Sequence, residues 1–349
     1  PYHLTVTKKG TIWIIFALTL FCSGCRLTYL LHAASGQLQL VSAAIPIEEA
    51  LNKGVLTPPQ QNRLRLVARI KDFGEKELGL RNTRNYETVY LRSGQPPIYT
   101  LSASPKDRLT RKTWWFPFVG DMPYLGFFDL ESAKQERNRL TGENLDVSIG
   151  ISDAYSTLGW FQDPVTLNLL EGSTPDLVET ILHEMTHTTL YLKGQGAFNE
   201  GLALVVGKVG SVLFLEDVFG PDHPFTEEAK RSIEDERLFS EFLASLMDQL
   251  ELLYSSPKSY QEKLDLREKV FAGSLEAFKH LKEKFGTDHF DNFGRMPLNN
   301  AYILSVGLYH RDFHLFEAVL KKKGDSIKDM LAFFKEWNPA LLFGLPVKP

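Results

Sequence analysis

Residues 183–187 read His-Glu-Met-Thr-His. On a helix, histidines at i and i+4 project from one face a turn apart, which makes a two-pronged clamp for zinc with Glu184 beside the first prong as a general base. Both cysteines, Cys22 and Cys25, fall within the first 25 residues, so a metal held further along has only His, Asp and Glu to bind it. Catalytic zinc takes three protein ligands and leaves one position for water. The third ligand offered is Glu200, in Phe-Asn-Glu-Gly-Leu-Ala at the expected start of the next helix, after a Lys193-Gly194-Gln195-Gly196 turn. The rival pattern, Gly and a third His at fixed offsets, fails because Leu190 and Lys193 stand there. One zinc ion so held lowers the pKa of its water, and Glu184 can take that proton and deliver it to a leaving amine, which is peptide-bond hydrolysis without a covalent intermediate. The oxyanion needs a further donor, for which Tyr155, Tyr302, Tyr309 and His310 are candidates. The competing reading is a helix with two surface histidines and a coincidental Glu200.

The clamp needs a rigid helix. Thr174 is the expected cap with Pro175 at the first helical position, Asp176 and Glu179 suit the positive end of the dipole, and Gly194 is the expected stop. Leu177, Val178, Ile181, Leu182 and Met185 supply the buried side. Upstream, Leu27 to Leu51 reads as helix, and Pro58-Pro59 opens a second helix to about Glu77 with Leu64, Leu66, Val67, Ile70 and Phe73 on one face. Short alternating segments at 86–91, 97–101, 124–128 and 145–151 are expected strands, with a helix near Leu130 to Leu140. From Thr174 the pattern is helical, broken near Gly220–Pro224 and Asp288–Asn300. The order of helical lead-in (26–80), small sheet (85–165) and helical half (174–349) reads as an α+β fold.

Tyr155 fits either an edge strand where substrate adds by backbone hydrogen bonds or a turn that braces the sheet. Tyr309, on an expected helix after Asn299-Asn300-Ala301, fits either a reach across the cleft or core packing. Trp114, Trp115, Phe116 and Phe118 read as packing before a cleft wall. His310 and His314 repeat the i, i+4 spacing without a glutamate or third ligand, and Lys321–Lys323 suit a helix end.

The chain has 349 residues, 43% hydrophobic and 23% charged, as in globular proteins, and its net charge of −4 argues against nucleic acid as partner. Lys8-Lys9, the apolar run Thr11–Cys22 and Ser23-Gly24-Cys25 have the layout of an export signal. Twelve helical residues rise about 18 Å, short of the roughly 30 Å hydrocarbon core, so a span is disfavoured, although a signal anchor is the alternative. Small residues before a cysteine resemble a lipobox, with Cys22 where Leu is usual. Residues 1–24 would then be removed and Cys25 acylated, tethering an exported envelope protein of net charge −6 to a membrane. Arg26 in place of Asp favours the outer membrane, on the periplasmic side.

Together Gly24-Cys25, Ser35-Gly36-Gln37-Leu38, Lys112-Thr113-Trp114 with Phe116-Pro117, Ala154 to Phe161, the paired histidines, Phe198-Asn199-Glu200 and Asn299-Asn300-Ala301 carry a resemblance. The chain resembles the predicted zinc aminopeptidase family of bacterial lipoproteins, within the gluzincin peptidases. The resemblance covers nearly the whole mature chain. It implies a thermolysin-like core, zinc on His183, His187 and Glu200, Glu184 as general base, and a peptide or protein substrate. Better-known aminopeptidases place the third ligand after eighteen intervening residues, which here is Val206, and carry a Gly-rich signature that is missing before His183. An envelope endopeptidase and a non-catalytic zinc-containing binding lipoprotein are therefore the alternatives, and a structural site would have no use for Glu184.

Overall fold

The computed structural model describes residues 42–91, 98–116, 120–152 and 162–336. Cys25, Phe118 and Tyr155 lie outside them, as does the whole expected signal segment.

The expected helix ending at Leu51 is interrupted: Ser42 is helical, a strand β1 (Ile45–Pro46) follows, and a short helix α1 (Ile47–Asn52) resumes. Pro46 causes this, because proline has no N–H to donate and biases the preceding residue towards extended backbone. The second helix, α2 (Pro58–Lys76), keeps its expected span and buries Leu64, Val67 and Ile70. Thr57 precedes it, and its backbone N–H donates to Gln60 Oε1 at 2.9 Å.

Among the described residues the strands form three small sheets. β1 pairs antiparallel with β2 (Thr88–Tyr90), which pairs in parallel with β8 (Val165–Thr166). β3 (Ile98–Pro105) is the centre of an antiparallel sheet between β6 (Leu125–Phe127) and β7 (Leu145–Ser152), in register at Thr100↔Gly126 and Leu101↔Ile149. β4 (Trp114–Phe116) and β5 (Gly120–Met122) pair antiparallel. Helix α3 (Leu130–Gly142), capped by Asp129, buries Leu140 against Leu101, Trp114 and Leu125. Trp115 points the other way along the pleat and is 55% exposed, so packing accounts for Trp114 but not for Trp115.

The remainder is helical: α4 (Leu167–Glu171), α5 (Thr174–Thr189), α6 (Gly196–Phe219), α7 (Pro224–Ser255), α8 (Tyr260–Lys282), α9 (Asn300–His310), α10 (Phe313–Lys322) and α11 (Ile327–Glu336). One apolar cluster joins α2, α5, α6, α10 and α11, and a second, rich in phenylalanine, joins α7, α8 and α9. The strands all fall between Ile45 and Thr166, interrupted by three helices, and the described chain beyond them is helical, so the architecture is α+β.

Candidate metal centre

Helix α5 starts one residue earlier in function than expected. Ser173, not Thr174, is the cap: its Oγ accepts from Asp176 N at 3.2 Å and Asp176 Oδ2 accepts from Ser173 N at 3.4 Å, while Thr174 is already helical and buried. The five apolar residues expected on the core side are all buried. The helix stops at Thr189, well before Gly194. Hydroxyls of Thr186, Thr188 and Thr189 donate back to the carbonyls of Leu182 and Met185 at 2.7–2.8 Å, and Leu190 leaves in extended conformation. Gly194 instead serves the turn, at φ +77° where a side chain would be strained.

That turn is clasped by one side chain. Buried Asn199 accepts from Leu192 N and donates to Leu192 O, both at 2.8 Å, which fixes the loop against the first turn of α6. Glu200, the next residue, is thereby aimed back at α5. The two helices lie very close: a Cβ on Gly207 would meet the Glu179 carbonyl oxygen at 2.8 Å and His183 Cβ at 3.2 Å.

The result is a triangle of donors. His183 Nε2 and His187 Nε2 are 3.2 Å apart, and Glu200 Oε2 is 3.3 Å from each. Tetrahedral zinc with bonds of 2.0–2.1 Å requires ligand atoms about 3.3–3.4 Å apart, so the three side chains fit one such ion without adjustment. Their electrostatics fit too. Burial alone would pull His187 down, but Glu200 beside it more than offsets that and lifts it to about 9. Burial would push Glu200 up, yet the two imidazoles hold it at about 2. Without a metal the cluster traps a proton, and a divalent cation at the same point supplies more of the charge it attracts.

Glu184 follows His183 and is half-buried, near enough for its charge to act on Tyr86, His187 and Tyr309. Tyr309, from α9, stacks on His183 with ring centroids 6.3 Å apart at 29°. Burial, and then the Glu200 charge, keep its phenol well above the ordinary value and hence protonated. Two of the other expected donors are engaged elsewhere: His310 Nδ1 is 2.7 Å from Glu236, and Tyr302 packs on Phe293. Val206 lies buried inside α6.

Three aromatic residues at the site escaped the sequence. Tyr191 sits edge-on to His187 at 6.4 Å, Tyr86 is buried near Glu184 at φ +61°, and Tyr124 lies near Tyr309. Only Tyr191, four residues after His187, carried a helical-spacing signal. A buried ion network backs the helices: Lys208 Nζ on α6 reaches Glu179 at 3.2 Å, Ser232 Oγ at 2.7 Å and Glu236 at 3.7 Å.

The profile of a family described as "Putative aminopeptidase" matches residues 28–341. No curated protein and no solved structure gives a match.

Proposed function

The chain belongs to the putative aminopeptidase family, and from that premise we propose that it is a single-zinc peptidase removing residues from the amino end of peptides. The observation that supports the metal is the triangle of 3.2–3.3 Å between His183, His187 and Glu200. Zinc held there would supply Lewis acidity, lowering the pKa of water and polarising the scissile carbonyl.

The remaining work falls to side chains. Glu184 accepts a proton from the attacking water as the new C–O bond forms, and returns it to the leaving nitrogen as the C–N bond breaks. Tyr309, protonated and packed on His183, donates to the oxygen that gains negative charge. The fold this reading implies is a thermolysin-like core, in which α5 and α6 carry the ligands. An acylated Cys25 would tether the enzyme to a membrane surface, and among the described residues no helix is long and apolar enough to cross one.

The test follows hydrolysis of one peptide set, free and amino-acetylated, by zinc-loaded protein and by Glu184→Gln. Cleavage of the free forms alone, reduced at least about a hundredfold in the variant, is the expected result. Cleavage of both forms would make the enzyme an endopeptidase. No cleavage despite one bound zinc per chain would overturn the peptidase reading in favour of a binding protein.

A further inference from the structure

Two arginines reach from or towards the sheet into the helices, and they are treated differently. Arg267 forks onto Asp146 with contacts of 2.7 and 3.3 Å. Arg111, on the segment that returns beside β3, has no carboxylate within ion-pairing distance among the described residues. One Nη donates to the Leu304 carbonyl on α9 at 3.0 Å, and among the described residues its buried Nε–H has no partner. Asp312 is near enough to support its charge but forms no ion pair. Burial, followed by Arg311, pulls the guanidinium down to about 10, which still leaves it charged at neutral pH. The guanidinium is half-buried and only its Nε lies fully out of solvent, but an N–H so placed is costly to leave idle unless something supplies the missing partner.

The surroundings suggest what that is. Arg111 lines a cavity of about 40 Å³ with Thr100, Ser102, Tyr124, Leu308 and Tyr309. At about 10–15 Å³ for each water, that is room for a carboxylate and little more. Thr100 and Ser102 are on the same face of β3 and add hydroxyl donors. Tyr309 is shared, forming a wall of this cavity while stacking on His183.

We propose that Arg111 binds a carboxylate of the substrate, so that the enzyme selects peptides carrying one beside the scissile bond. The inference rests on the peptidase reading for the identity of the ligand. The carboxylate is either the carboxy terminus of a short peptide or an acidic side chain. Arg111 determines specificity and takes no part in bond breaking.

Three peptides of otherwise identical sequence separate the sources: one with a free carboxy terminus and no acidic residue, one amidated with a Glu side chain, and one amidated with Gln in its place. Their kcat/KM is measured with the wild type, with Arg111→Gln, which retains a donor for the Leu304 carbonyl, and with Arg111→Lys, which retains the charge. Equilibrium binding to Glu184→Gln protein is measured in parallel, with and without Arg111→Gln, and thermal melts check folding. The wild type should favour one carboxylate peptide roughly ten- to a hundredfold, chiefly through KM, with Arg111→Gln erasing the preference and Arg111→Lys restoring part of it. Turnover without preference, or a preference that survives Arg111→Gln, overturns the inference and leaves the peptidase reading intact. Carboxylate-selective binding that depends on Arg111, with no turnover by the wild type, sustains the site and removes the peptidase reading instead.

Discussion

Tyr309→Phe keeps the ring on His183 and removes one hydroxyl. The expected result is a hundred- to thousandfold lower kcat, about the effect of losing one oxyanion donor, with KM and zinc content unchanged. A variant with wild-type kcat would remove Tyr309 from the chemistry. Glu200→Gln keeps the shape of the triangle but replaces the buried carboxylate, so bound zinc, read by elemental analysis, should fall well below one per chain. Undiminished zinc would exclude Glu200 as a ligand. These residues differed in how readable they were. His183, Glu184 and His187 were legible because a single helix fixes their spacing, and Glu200 because a short turn can bring it back. Tyr309 was undecidable from sequence, since only the packing of α9 against α6 and the sheet puts it over His183. Arg111 gave no signal at all, because a guanidinium with one idle N–H is recognised only from the groups packed around it.

Between elements, the narrow contact of α5 with α6 is the critical dimension. Gly207→Ala should raise helix propensity by about 1 kcal/mol, but the new methyl meets a backbone carbonyl that cannot swing aside, and overpacking of this kind costs about 1–3 kcal/mol. The net expectation is loss of stability and of zinc affinity together, since the methyl also presses on His183; a variant as stable and as tight as wild type would show that the helices separate freely. Lys208→Met tests the ion network behind them. Lys208 is 1% exposed, and its loss takes the cation from half-buried Glu179 and leaves the fully buried Glu236 with His310 alone, for an expected cost of about 3 kcal/mol in denaturant melts. A cost below about 1 kcal/mol would make the network incidental. Element types were largely legible from apolar period and proline, whereas ends were not: the stop of α5 came from threonine hydroxyls bonding backwards, and the strand at Ile45 from a single proline.

Taken as one molecule, the protein joins its two helical apolar clusters through Glu236 and Lys208, and pH should read that junction. Burial would raise Glu236, but His310 and then Lys208 hold it below the ordinary 4.5. Stability from a depressed carboxylate is complete above its unfolded value and is lost as pH falls through the lower folded one. Lys208 is the reverse: burial would lower it, Glu179 and Glu236 raise it, so its contribution is complete below 10.5 and is lost as pH climbs past the higher folded value. Melting temperature should therefore fall below about pH 4.5, and Glu236→Gln should flatten that acid limb. An equally steep limb in the variant would refute this account. The positions of the metal-facing residues in the chain have one more consequence. His183, His187 and Glu200 lie within one helical hairpin, whereas Tyr309 comes from more than a hundred residues later. Closing a short loop loses little chain entropy, so the hairpin can assemble its donors while distant pairings are still unmade. During refolding, zinc uptake should lead recovery of activity, and a chain stalled midway would be a metal-loaded protein with no catalysis to show for it.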